Sequence, residues 1–140
     1  MNFVDKYLYW EDVAEYDLET AEAMFNSGRY LYVAFMCQQA VEKITKGLFV
    51  FYNGEEPPRT HNILSIFEKI QFKALKPATL KLNEYKDFFE ELLAFYISER
   101  YPSYKEKLSS SIDKERAQKV LTKTEEVFSW LKSLKISIMP

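Results

Sequence analysis

The chain has 140 residues, 47% of them hydrophobic and 29% charged, with a formal net charge of -2 from nineteen basic and twenty-one acidic side chains. This is the size of one domain, able to bury a sizeable core without staples, and its charge balance excludes a global electrostatic pull towards nucleic acid. Three glycines are too few for a turn-rich β fold or a glycine-rich phosphate loop, and a single cysteine, Cys37, excludes a disulfide framework and fits a reducing compartment.

The first residues lack the basic and apolar regions of a secretory signal, and no apolar run approaches the roughly 20 residues that cross a bilayer. A cytoplasmic location without membrane association is expected. From Asp5 to Phe25, the residues Leu8, Val13, Tyr16, Ala21, Met24 and Phe25 recur at helical spacing opposite Glu11, Asp12, Glu15, Glu19 and Glu22. Gly28 in "NSGRY" is placed to end this helix in a left-handed cap. A second helix runs from about Arg29 to Tyr52, with Val33, Cys37, Ala40, Val41, Ile44, Leu48 and Phe51 on a broad apolar stripe. On this stripe Cys37 reads as a small buried hydrophobe.

Gly54 and the Pro57-Pro58 pair stop the second helix, and Thr60 is placed to cap a short third one near His61, with Ile63, Leu64, Phe67 and Ile70 inward. A fourth helix follows Pro77, roughly Ala78 to Glu99, bearing Leu82, Tyr85, Phe88, Phe89, Leu92, Leu93 and Tyr96, and ends before Pro102. Asp113 caps a last helix to about Leu134, whose stripe is Ala117, Val120, Leu121, Thr124, Val127, Phe128 and Leu131. The expected fold is all-α, an antiparallel up-and-down helical bundle of four long helices and one short one, with residues 1–140 forming a single domain.

The second helix carries a polar constellation. Residues three and four apart share a helix face, so Gln39, Glu42, Lys43 and Lys46 form one ridge beside the apolar stripe, with Gln38 turned towards a neighbouring helix. The plainer reading is a solvated face with a Glu42–Lys46 ion pair; the other is a functional lining, since amides near a helix centre survive burial only when hydrogen-bonded. In "YISERYPSY", Arg100 either reaches across to a carboxylate or a phosphate, or pairs with Glu42 or Glu99, while Tyr101 packs on the bundle end. His61, the one histidine, reads as a capping or packing residue and cannot build a metal site alone. Tyr7, Tyr9, Trp10, Tyr32, Phe35 and Tyr104 fall off the main stripes, and an exposed apolar patch made by them would mark a homodimer interface.

"DLETAEAMFNSGRYLYVAFMCQQAVEKITKGLFVFYNGEEPPRTHNILSI", followed by "ERYPSY", resembles the HEPN domain family (higher eukaryotes and prokaryotes nucleotide-binding). The matching positions are Leu18, Ala21, Gly28, Tyr30, Gln39, Ala40, Glu42, Lys43, Lys46, Thr60, His61, Arg100, Tyr101 and Pro102. The resemblance implies a helical bundle, usually a homodimer, often encoded beside a minimal nucleotidyltransferase in toxin-antitoxin pairs. Many such proteins are metal-independent ribonucleases that use an Arg followed, after four to six residues, by a His. Here those positions after Arg100 hold Lys105, Glu106 and Lys107, so the catalytic pair does not carry over.

The leading expectation is a HEPN-like protein that binds a nucleotide, an RNA phosphate or a cognate nucleotidyltransferase, through Gln39, Glu42, Lys43, Lys46, His61, Arg100 and Tyr101, with no cofactor and no metal. The alternatives are a ribonuclease with a variant site on Arg100, the one candidate catalytic residue, and perhaps His61, or a structural dimerisation module.

Overall fold

The computed structural model describes residues 2–72, 76–100 and 112–135, with side chains placed at 2–72, 81–97 and 112–135. The helical spacing is realised as α1 (Phe3–Asn26), α2 (Tyr30–Asn53), α3 (Ile63–Glu68), α4 (Lys76–Arg100) and α5 (Lys114–Ser133), with no strand among the described residues. This is the expected all-α bundle of four long helices and one short one. The side chain of Arg100, and residues Tyr101, Pro102, Tyr104, Lys105, Glu106 and Lys107, lie outside the described residues.

The ends of the helices follow from capping chemistry. Asn2 opens α1 by accepting from the Asp5 amide at 2.8 Å, and Asp113 opens α5 by accepting from the Arg116 amide at 2.9 Å. At the end of α1, Gly28 takes a φ of +75°, its amide donates to the Phe25 carbonyl, and the Arg29 amide donates to the Met24 carbonyl. That pair of bonds is a Schellman cap, and it reverses the chain so that α2 returns antiparallel to α1. For α3 the cap is Asn62 rather than the expected Thr60. Asn62 Oδ1 accepts from the Ser65 amide at 3.2 Å, while the Thr60 hydroxyl accepts from the Asn62 amide at 3.2 Å and shapes the approach. Pro77 does not precede α4 but lies in its first turn, where its missing N–H has no intrahelical partner to lose.

α2 is the central element. It touches α1, α3, α4 and α5, and its buried set includes Val33, Ala34, Cys37, Val41, Ile44 and Leu48. A helix apolar over so much of its circumference is stable only when neighbours cover it. α1 lies closest. A methyl group at Gly47 of α2 would sit 2.8 Å from the Trp10 Cβ and 3.4 Å from the Tyr7 ring, so the glycine sets how near the two backbones come.

The inward face of α1 differs from its predicted one. Tyr7, Ala14 and Ala21 are buried, whereas Leu8 and Tyr16 are exposed, Tyr16 to 71%. The buried positions Tyr7, Ala14, Asp17 and Ala21 share one face at helical spacing and meet the predicted stripe only at Ala21, because the close approach of α2 decides which flank of α1 is covered. Tyr7, expected off the stripe, fits the seam because its hydroxyl donates to Glu11 at 3.0 Å. Glu11 in turn pairs with Lys135, and Glu15 with Lys132, tying α1 to the end of α5.

Gly47→Ala is expected to lower stability by about 1–2 kcal/mol net, the clash with a Cβ fixed to the Trp10 backbone outweighing the gain in helix propensity. Urea denaturation reads this directly, and an unchanged or raised midpoint would mean that α1 and α2 can separate freely.

Candidate functional site

The polar residues of α2 divide into two groups rather than forming one ridge. Glu42 points towards the chain that precedes α3, with its side chain 5% exposed. Its Oε1 accepts from Gln38 Nε2 at 2.7 Å and lies 2.9 Å from His61 Nδ1; its Oε2 is 3.0 Å from Lys46 Nζ. Gln38 is fully buried, and its Nε2 also reaches the His61 carbonyl at 3.4 Å. Gln39, half-buried, donates to Gln38 Oε1 at 2.6 Å. Lys43 belongs elsewhere: it donates to Asp17 of α1 at 2.6 Å, an interhelical pair whose carboxylate is 9% exposed.

The placement follows from helix geometry. Gln38, Glu42 and Lys46 stand at i, i+4 and i+8 and so share one flank of α2. Burying a lone carboxylate is costly, and here one ammonium, one amide and one imidazole saturate it. His61 sits immediately before the Asn62 cap, so the turn that starts α3 also aims its ring at Glu42.

On its other side the imidazole stacks on Tyr96 of α4, with centroids 3.9 Å apart and planes 21° from parallel. Phe35 of α2 continues the column, 6.3 Å from Tyr96 at 22°. The His61 side chain remains 45% exposed. Three elements, α2, α4 and the chain before α3, thus meet at a flat, half-open ring stack with a saturated ion pair beneath it. Such a surface offers stacking to a planar ligand and the Lys46 ammonium to an anion.

Of the residues singled out from sequence, Glu42, Lys46 and His61 converge directly and Gln39 joins through Gln38. Lys43 is diverted to Asp17. The Arg100 side chain and Tyr101 lie outside the described residues, although the backbone of Arg100 ends α4, four positions after Tyr96. Sequence reasoning placed Tyr96 on the core stripe and Phe35 in a dimer patch. Their role beside His61 depends on a contact between distant segments, which periodicity within one helix does not report.

Two other features are set apart from this site. An open groove of about 720 Å³ between α4 and α5 is lined by Glu84, Asp87 and Glu91 on one wall and Arg116, Lys119 and Lys123 on the other. Those opposite charges balance, with Arg116 3.4 Å from Glu91, which leaves little net attraction for an anion. Cys37 is fully buried, and burial pushes its thiol up to about 12. Among the described residues no group of three His, Cys, Asp or Glu side chains is placed to hold a metal ion, and none of the described helices is long and apolar enough to cross a membrane.

The chain matches the HEPN domain over residues 7–134, nearly its whole length, and it belongs to that family. The fold is also similar to the crystal structure of TT1696 from Thermus thermophilus, with a TM-score of 0.74 at 20% identity, covering 96% of this chain and 99% of that one. Among curated proteins no relative matches.

Glu42→Ala is expected to cost about 3 kcal/mol or more, because it leaves the Lys46 ammonium and the Gln38 amide without their acceptor in a buried setting. Thermal or urea unfolding measures it, and a loss under about 1 kcal/mol would mean that water already reaches the carboxylate. A thiol reagent is expected to label Cys37 no faster than the protein unfolds; rapid labelling of the native protein would contradict its burial.

Proposed function

We propose that this HEPN protein binds a nucleotide, or a phosphate and base of RNA, at the ring stack formed by His61 and Tyr96, and that it acts without cleaving the ligand, as a homodimer beside a nucleotidyltransferase partner. The observation that carries the reading is the half-exposed imidazole stacked 3.9 Å from Tyr96 and held from below by the Glu42–Lys46 pair. A base has a π-face on which such a platform acts regardless of sequence. Lys46 spends one of its three donors on Glu42 and keeps others for a phosphate. Arg100, closing α4 one turn beyond Tyr96, is the residue proposed to add the second positive charge. Family membership supports the pairing with a nucleotidyltransferase. The homodimer is supported by Tyr9 and Tyr16, 61% and 71% exposed and two helical turns apart on one face of α1.

A second reading is a ribonuclease whose base is His61. The observation in its favour is the contact between the Glu42 carboxylate and Nδ1, since a carboxylate that orients an imidazole is the arrangement a general base requires. It predicts RNA cleavage without divalent metal, abolished in His61→Ala.

For the binding reading, ATP or a short oligoribonucleotide is expected to raise the melting temperature by several degrees, a shift reduced in His61→Ala and in Arg100→Ala. Equal shifts in both variants and the parent would displace the ligand from this surface, and metal-independent cleavage would replace binding by the second reading. Sedimentation at micromolar concentration is expected to give the mass of a dimer; a monomer would remove the homodimer from the proposal.

A further inference from the structure

Within the proposed site, and resting on that reading, the geometry points to a hydrogen-bond code written by Glu42: we infer that Glu42 is a positioning residue that fixes His61 in the Nδ1–H tautomer, so that Nε2 offers a lone pair which recognises a sugar hydroxyl and makes the site prefer ribonucleotides to deoxyribonucleotides.

The argument begins at the carboxylate. Glu42 Oε1 already receives the Gln38 amide at 2.7 Å and Oε2 receives the Lys46 ammonium at 3.0 Å, so the group is held as an acceptor with no proton to give. His61 Nδ1 lies 2.9 Å from Oε1, and a nitrogen at that distance from an acceptor must carry the hydrogen. In the neutral ring the lone pair is then left on Nε2, the reverse of the tautomer that a free histidine side chain favours. Nothing rotates the ring out of this register. Tyr96 stacks on its face, the Gln38 amide reaches the His61 carbonyl at 3.4 Å, and the Thr60 and Asn62 turns hold the backbone on its far side.

Among the described residues Nε2 has no hydrogen-bond partner, and the side chain is 45% exposed. The acceptor is therefore available to a ligand. The ammonium of Lys46 supplies the charge for a phosphate but cannot accept a hydrogen bond, whereas the imidazole Nε2 can accept one from a hydroxyl and none from a hydrogen. A ligand that stacks at the ring column and carries a 2′-hydroxyl gains one bond there that its deoxy counterpart lacks. One neutral hydrogen bond of this type corresponds to about three- to tenfold in affinity.

The test has two arms. His61 is the only histidine in the chain, so the long-range proton–nitrogen correlations of its imidazole need no assignment. In the ligand-free protein at about pH 8, above the ordinary imidazole range, the expected result is a protonated Nδ1 and an unprotonated Nε2. In Glu42→Gln the carboxylate charge is lost and one of its two oxygens becomes an amide nitrogen, so the preference for the Nδ1–H tautomer is expected to weaken. An Nε2–H tautomer in the parent protein overturns this inference alone.

The second arm compares ATP with 2′-deoxyATP by calorimetry. ATP is expected to bind about three- to tenfold tighter, and Glu42→Gln to narrow that ratio, whatever it does to the affinity shared by both nucleotides through Lys46. His61→Phe guards against a misfolded Glu42→Gln. It keeps the stack on Tyr96 and removes the acceptor, so it should bind both nucleotides equally. Equal binding of the two nucleotides to the parent overturns the hydroxyl contact. Failure of both to bind overturns the nucleotide-binding reading and the hydroxyl contact together, whatever tautomer the first arm finds.

Discussion

A carboxylate removed from water organises the middle of this bundle. Glu42 sits on the most buried helix, where an unpaired charge would cost several kcal/mol, and its partners come from two directions. Gln38 and Lys46 stand one turn to either side on α2, so their contribution is local and forms with the helix. His61 comes from the chain beyond Gly54 and the Pro57-Pro58 pair, and can contribute only when that connection folds back over α2. The same contact that satisfies the carboxylate therefore pins the entry to α3. Because α3 has only 6 residues, far too few to be stable by itself, it depends on such an anchor together with the burial of Ile63, Ile66 and Phe67.

The second ion pair does different work. Lys43 and Asp17 join α2 to α1 along the seam that Gly47 brings close, and nothing in their placement presents them to the ring stack. Two adjacent residues, Glu42 and Lys43, thus serve opposite flanks because neighbours on a helix point about 100° apart. One pair fixes a hairpin of long helices, and the other fixes a ring at the surface. That division explains why the polar stretch of α2 is compatible with a helix committed to the core: each buried carboxylate, Glu42 at 5% and Asp17 at 9% exposed, is met by a lysine.

The helices themselves were largely legible from the chain. Apolar period, Asp113 at the start of α5 and Gly28 at the end of α1 are local signals, and each of these residues acts through groups within a few positions of it. The errors arose where a distant element decided the outcome. Tyr16 reads as part of the α1 stripe by hydrophobicity, yet the seam with α2 runs through Ala14 and Ala21, which are small enough for close approach. Thr60 and Asn62 are both competent caps, and only the geometry of the fold-back selects Asn62. For the candidate site, the spacing of Glu42 and Lys46 announced their ion pair, whereas the stack of His61 on Tyr96 joins residues 35 positions apart in sequence with no periodic signal between them.

What most favours a functional role for this cluster is its poor value as a stabiliser. Replacing a buried ion pair by well-packed apolar side chains is often neutral or favourable to stability, and α2 is otherwise filled with Val, Ile, Leu and Phe at equivalent depth. A leucine at 42 and a methionine at 46 would serve the core with no desolvation to offset. They would also leave His61 free to choose its tautomer and its orientation, and would remove the ammonium from the edge of the stack. The network therefore contributes what an apolar core cannot: a stacked ring, a carboxylate against its Nδ1, and positive charge beside that carboxylate. Of these, the half-exposed ring faces the open side of the stack, where the proposed ligand would lie.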